Sequence, residues 1–459
     1  MVATTGTRLT RGIGGARPAA PVRMVHLGLG NFFRAHQAWY TDHTPDRDAW
    51  GIAAFSGRSP DLARSLQAQD GLYTLAALGP DGPAVEVVSS LSACLPATDH
   101  PAFLRLLGDA RVQVLTLTVT ESGYRRGRDG SLDTADPAVA GDLEKLRRSP
   151  CSPVSTVPAR VLAGLAARRA AGAGPCTVLS CDNVDGNGQV LARVVRDAAG
   201  AVAPSLASWI EEHVAFPSSV VDRITPRPVE SDLETVRAAT GVPDPAAVVT
   251  EPYSEWILQD GFRAERPRWE DAGARFVPDV TAYERRKLLM LNGAHSLLAY
   301  LAPLRGHTTV AGAIADPVVR GRVEDWWDLA RRHVPLTDDE LARYRAELAD
   351  RFANTGIRHL LSQIATDGSQ KLPVRVLPVL RAEREAGRLP LAAVRTLAAW
   401  LLSLRAGEIA DPMAGELTDV ARGPLPDAAV RVLGLLDPDL AADRVVAAAV
   451  ANEAWTLQG

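Results

Sequence analysis

The chain reads as an α/β domain built on a doubly wound parallel sheet followed by a mainly α-helical domain, and three observations carry that expectation. Its 459 residues exceed what one ordinary core accommodates, so two domains are expected. From Val22 onward, short apolar runs alternate with amphipathic stretches, the alternation of a βα chain. Beyond Phe276 the strand-like runs fade and apolar positions fall three and four residues apart, the spacing of helices packed by one face.

The expected strands are VRMVHL, WGIAAF, VEVVSSL, VQVLTLTV and PCTVLSC. The first, fourth and fifth are continuous rather than alternating, as in a parallel sheet with helices on both faces. The expected helices of the second half are Tyr283–Leu301, Val318–Arg332, Asp338–Phe352, Leu391–Ala406 and Ala441–Glu453. The seam is placed near Pro278. This divides the chain into a loose arm at 1–20, an α/β domain at 21–278 and a helical domain at 279–459. Ligand sites favour domain junctions, so motifs near the seam gain weight.

The formal charge is −4, from 50 basic and 54 acidic side chains, and no excess draws the chain to nucleic acid or an anionic membrane. Cys94, Cys151, Cys176 and Cys181 form no C-x-x-C pair and no zinc-type spacing with histidine, so reduced thiols and no metal site are expected. The N-terminal twenty residues lack a continuous apolar stretch, and no uncharged run of 18 residues occurs, so a cytoplasmic protein is expected.

The first strand runs into LGLGNFFRAHQAWY, with Gly28 and Gly30 at its carboxyl end. A G-x-G turn lets the backbone approach a pyrophosphate while the following helix offers free N–H groups, so a Rossmann-type dinucleotide site is expected here. The third glycine of that fingerprint is replaced by Phe33, which leaves an ordinary glycine turn as the alternative. Gly28, Gly30, Asn31, Phe32 and Arg34 are the candidate cofactor contacts, joined by Thr120 and Glu121 after the fourth strand. Arg34 and His36 suit either the pyrophosphate or the helix surface. After the second strand the chain reads SGRSPD, with Arg58 where an acidic ribose ligand is usual, so NAD is expected with NADP left open.

The segment YERRKLLMLNGAHSLLAYL carries Glu284, Lys287, Asn292 and His295. On a regular α-helix Asn292 lies about 140° and His295 about 80° round from Lys287, so the three line one broad face. Alcohol oxidation needs a base, donors for a developing alkoxide and a hydride acceptor. A lysine desolvated beside a cationic histidine would have its pKa drawn down. The alternative is a solvated face, since Arg285, Arg286 and Lys287 form a basic run. Tyr283 and Lys287 also spell Y-x-x-x-K, a pair that belongs to shorter single-domain dehydrogenases and is read here as coincidence. LSCDNVDGNG places Asp182, Asn183, Asp185 and Asn187 at a strand's carboxyl end, as oxyanion donors or as an Asx-rich turn.

These motifs, with QDGLYTL, TLTVTESGY, VAFPSSVVDRITP, VTEPYSEWILQD and RFANTGIRHLLSQIATDGSQKLP in order, resemble the polyol-specific long-chain dehydrogenases, the mannitol dehydrogenase family, over nearly the whole chain. The resemblance implies that Lys287 is the general base, that Asn183 and Asn292 donate to the oxyanion, and that His295 orients the substrate hydroxyl. It implies further that Glu284 lies on a proton path and that Asp222 and Lys371 border the substrate; Asn187 remains the alternative to Asn183. Where mannitol enzymes of the family tend to carry arginine, this chain has Gln363, which resembles the branch acting on hexuronic acids. A substrate carboxylate would want a guanidinium, and Arg358 and Arg375 flank that stretch.

The expectation is therefore a metal-independent, NAD(P)-dependent secondary-alcohol dehydrogenase, monomeric and acting on a small sugar-derived substrate. D-mannitol and fructose are the preferred pair and mannonate and fructuronate the alternative. A non-catalytic NAD-binding sensor is the rival from another class; it would have no reason to keep Lys287, Asn292 and His295 together.

Overall fold

The computed structural model describes residues 8–12, 17–57, 59–407 and 410–458. The chain divides into two compact units, Met1–Thr281 and Ala282–Gly459. The strands are β1 (Val22–Leu27), β2 (Gly51–Phe55), β3 (Tyr73–Gly79), β4 (Gly82–Val88), β5 (Leu91–Leu95), β6 (Val114–Leu117), β7 (Cys176–Ser180), β8 (Val214–Ala215), β9 (Ser219–Asp222), β10 (Val248–Thr250), β11 (Glu255–Gln259) and β12 (Arg275–Val277).

Six of them form one sheet in the order β5-β2-β1-β6-β7-β8, and every pair is parallel. This is a doubly wound sheet that reverses direction between β1 and β6, where such folds bind dinucleotides. β2, β6 and β7 are buried throughout, which accounts for the absence of an in–out alternation in their sequences. Two three-stranded sheets complete the unit, β10-β3-β4 and β12-β11-β9.

The run VEVVSSL is not one buried strand. Its first four residues end β4, a mostly exposed strand antiparallel to β3; Ser89 and Ser90 make the turn, and Leu91 opens β5. Glu86 between two valines marks a half-exposed strand, and the Ser90 hydroxyl donates to the Ala38 carbonyl at 2.8 Å, fixing the turn. The expected loose arm is also corrected over its described residues. Arg11 donates to the Ser89 and Leu91 carbonyls, both at 2.8 Å, Arg17 pairs with Asp42 and Asp48, and Leu9 packs with Leu72 and Val242.

The second unit is helical around Gly293–Leu301, whose nine residues are all buried. Leu391–Ala406 packs against that helix and against Arg444–Gln458. Pro317–Ala330 and Asp338–Ala353 close on the same core, the latter opened by a Thr337–Glu340 capping box. The expected Ala441–Glu453 helix is broken at Asp443, where Pro438–Ala442 stops and Arg444–Gln458 begins. Among the described residues no helix is long and apolar enough to cross a membrane.

Candidate active site

The turn after β1 is built for backbone proximity. Gly28 has φ of 110°, and a Cβ there would lie 2.0 Å from the Thr118 carbonyl oxygen, so only glycine fits. Its N–H and that of Leu29 donate to the Phe55 carbonyl at 3.0 and 2.9 Å, tying the turn to β2. A Cβ on Gly30 would meet protein only at 3.5 Å, an ordinary contact, so the protein itself leaves the space above Gly30 open. Phe33 replaces the third glycine because the buried ring of His26 on β1 stacks against it at 3.5 Å, where a glycine would let helix and strand close up.

Arg34 is turned inward. Its guanidinium donates to the Gly30 carbonyl at 3.2 Å, to Asn31 Oδ1 at 2.6 Å and to the Ala246 carbonyl, and burial lowers its pKa to about 10. It braces the turn from beneath, so its expected place as a cofactor contact is replaced by an internal one. His36 is equally buried, with Nε2 at 2.9 Å from the Glu255 carbonyl. Phe32 stacks on it at 5.1 Å. Arg58 lies outside the described residues. Thr120 and Glu121 are exposed just beyond β6, with Glu121 paired to Arg126 at 3.0 Å.

At the end of β7 the two candidate asparagines separate. Asn187 is buried; its amide donates to the Asp182 and Ser219 carbonyls at 2.9 and 2.8 Å and accepts the Ser219 N–H at 3.0 Å. It clamps the loop to β9, while Asn183 is exposed on that loop. Asp182 accepts from the Tyr124 and Ser180 hydroxyls and from the Val119 N–H, which joins the TESGY and CDNVDG motifs. Burial raises its pKa to about 6. Asp222 is buried at the end of β9, and Arg223 beside it is another brace, donating to the Ala35 carbonyl at 2.6 Å.

In the second unit, Glu284 stands half-buried on Thr281–Arg286, and Lys287 opens a π-turn that runs to Asn292 before Gly293–Leu301 resumes as α-helix. The Gly293 N–H bonds to the Leu288 carbonyl, the five-residue closure of a π-helix. The regular 100° spacing therefore does not apply, and residues five apart, such as Lys287 and Asn292, lie closer round the axis than in an α-helix. The basic run is a solvated face only at Arg285, which is exposed: Arg286 is buried against Tyr344, 3.9 Å from its ring centre, and Lys287 is half-buried. Tyr283 is buried and donates to Glu340 at 3.4 Å, so it serves packing and not a Y-x-x-x-K pair.

His295 is 8% exposed and stacks on Phe352 at 5.0 Å. Burial first, then His359, Arg351, Arg375 and Lys287, hold its pKa well below the ordinary imidazole value. The expected cationic histidine is thus a neutral one. Its Nε2 has no hydrogen-bond partner among the described residues. His359 meets it edge-on at 5.1 Å and is itself lowered to about 4 by burial. Sequence reasoning used RFANTGIRHL only as a family mark and missed that Arg351, Phe352 and His359 surround His295.

The DGSQK motif is a mount. Asp367 takes a left-handed φ of 56°, and a Cβ on Gly368 would lie 2.6 Å from both Trp400 and Tyr300. Lys371 then reaches back to the Ile364 carbonyl at 3.2 Å and Thr366 Oγ1 at 3.1 Å, with burial lowering its pKa. Gln363 and Arg358 are exposed, whereas Arg375 is half-buried. Among the described residues no group of three or more potential metal ligands occurs.

Residues 22–271 match the family of the mannitol dehydrogenase Rossmann domain, and residues 279–454 match the mannitol dehydrogenase C-terminal domain. The chain is 38% identical to D-mannonate oxidoreductase of Escherichia coli (strain K12), over 80% of this chain and 76% of that protein. It is 35% identical to mannitol 2-dehydrogenase of Cereibacter sphaeroides, over 84% of this chain and 81% of the relative. The solved ternary complex of Pseudomonas fluorescens mannitol 2-dehydrogenase with NAD and D-mannitol superposes with a TM-score of 0.81 at 33% identity, covering 96% of this chain and 92% of the other.

Proposed function

Because this chain belongs to the mannitol dehydrogenase family, we propose that it is an NAD(P)-dependent dehydrogenase interconverting a polyol and a ketose, with D-mannitol and fructose as the leading pair. The observation that carries the reading is the unpaired Nε2 of a buried His295, whose pKa is held well below the ordinary imidazole value, with Lys287 and Asn292 on the adjoining π-turn. A neutral imidazole accepts or donates a hydrogen bond to a substrate hydroxyl without competing for the proton.

In this reading the Lys287 amine removes the hydroxyl proton, and the carboxamides of Asn292 and Asn183 donate to the developing alkoxide. His295 orients the hydroxyl, and Glu284 passes the proton from Lys287 toward solvent. Asp222, Lys371 and Gln363 border the substrate. The Gly28–Gly30 turn suits a dinucleotide pyrophosphate, with Asn31, Phe32, Thr120 and Glu121 beside it. A bound nicotinamide supplies the hydride acceptor.

A second reading, mannonate and fructuronate, is favoured by one side chain. The half-buried guanidinium of Arg375 has no carboxylate partner among the described residues and is held below its ordinary pKa by burial. A substrate carboxylate would supply that partner. Assays of both pairs with each nicotinamide decide between them; fructuronate reduction without fructose reduction replaces the first reading by the second. Lys287→Ala is expected to lower kcat at neutral pH by about 10²–10⁴-fold while NADH affinity stays within twofold. Unchanged turnover would remove the lysine from the mechanism, and NAD binding with no turnover of either pair would favour the sensor.

A further inference from the structure

We propose that Trp326 and Trp327 are positioning residues for Lys287, Asn292 and His295, acting by holding the π-turn on which that set is mounted; the inference rests on the dehydrogenase reading above. The two tryptophans are consecutive on the Pro317–Ala330 helix, and their indole N–H groups donate to consecutive carbonyls of the turn. Trp326 Nε1 lies 2.8 Å from the Leu289 oxygen and Trp327 Nε1 3.0 Å from the Met290 oxygen.

The bond from Trp326 falls on the carbonyl whose α-helical donor has moved. In an α-helix the Leu289 carbonyl would accept the Gly293 N–H; here that N–H goes to Leu288, and the Trp326 indole supplies Leu289 with a side-chain donor. Both indoles are almost fully buried, at 0% and 1% exposure, so the two bonds are made away from bulk solvent. Loss of these indole donors would favour relaxation of the turn to an α-helix, in which Lys287 and Asn292 lie about 140° apart.

Two further contacts bind the pair to the set. A Cβ on Gly293 would lie 2.4 Å from the Trp326 ring, so the indole reaches the turn only because residue 293 is glycine. The Trp327 ring packs on Phe352 at 5.7 Å, and Phe352 is the ring on which His295 stacks. One tryptophan thus holds the turn where it rejoins the helix, and the other supports the histidine from behind.

The test uses the full-length protein, first shown to turn over a sugar alcohol or uronate and to lose that activity as Lys287→Ala; failure at that stage refutes the dehydrogenase reading. Trp326→Phe and Trp327→Phe keep an aromatic ring and remove the N–H. Each is expected to lower kcat about tenfold or more, to displace the pH midpoint of kcat/KM, and to leave the KM for the dinucleotide within twofold. Trp455→Phe, at 74% exposure, is the control expected to match wild type. Wild-type kcat and pH profile in both variants, even with a lowered melting temperature, would overturn the proposal. If either phenylalanine variant fails to fold, replacement of that residue by β-(3-benzothienyl)alanine preserves the shape without the N–H, and the same criteria apply. A crystal structure of the Trp326 variant reads the turn without reference to activity: an unaltered π-turn refutes the inference even if the protein proves not to be a dehydrogenase.

Discussion

Asn183 and Asn187 stand four residues apart in one loop, and their surroundings call for opposite outcomes on substitution. Asn187→Ala strips partners from the Asp182 carbonyl and from both backbone groups of Ser219, so it is expected to destabilise the fold by about 2–4 kcal/mol in urea unfolding. Asn183→Ala is expected to unfold within about 0.5 kcal/mol of wild type and to lower kcat by about 10²–10³-fold. If the loss of stability followed Asn183 and the loss of rate followed Asn187, the two roles would be exchanged. The motif alone could not separate them, because the group that claims Asn187 is Ser219, 32 residues further on. Arg34 was ambiguous for the same reason: one of its acceptors is the Ala246 carbonyl, 212 residues away.

At the scale of elements, the glycine turn and the π-turn differ in how much of them can be read from sequence. The turn after β1 was legible because a positive φ at Gly28 and an apolar strand before it both leave marks in the residues. Gly28→Ala is expected to cost the fold, since its Cβ would strike the Thr118 backbone. Gly30→Ala is expected to fold normally, by circular dichroism and melting temperature, and to weaken NADH binding at least tenfold in a fluorescence titration; undiminished binding would remove the pyrophosphate from that turn. The π-turn left no such mark. Hydrophobic periodicity registers which face is buried but not one extra residue in a turn, and its support comes from Trp326 and Trp327 on another helix. VEVVSSL misled for a related reason, because an apolar run does not say where a strand ends when two serines can form a turn within it.

For the whole molecule, buried histidines set the response to acid. Burial lowers His26 to about 3 and His359 to about 4, and holds His295 well below its ordinary value. Each folded pKa is depressed, so from about pH 6.5 downward the unfolded chain takes up protons that the folded chain refuses, and stability falls with pH. Asp182, raised to about 6, works the other way between about pH 6 and 4 and offsets one of the three. The expected net result is a loss on the order of a few kcal/mol between pH 7 and 4, with proton uptake on unfolding near pH 5. Urea midpoints that held steady or rose on acidification would contradict it. NADH at about a hundred times its Kd is expected to add about 2.7 kcal/mol, and the larger melting shift of NADH or NADPH identifies the preferred dinucleotide.

Residue order was enough to establish the two-part architecture, the glycine turn after the first strand and the short list from which the chemistry is drawn, because backbone dihedrals, apolar period and local motif spacing are properties of neighbours in the chain. Tertiary structure alone decided which members of that list are braces and which keep a polar atom unpaired, and that burial disfavours the charged form of the imidazole. Those outcomes depend on hydrogen-bond partners and burial contributed by segments tens to hundreds of residues away, which no local reading can supply.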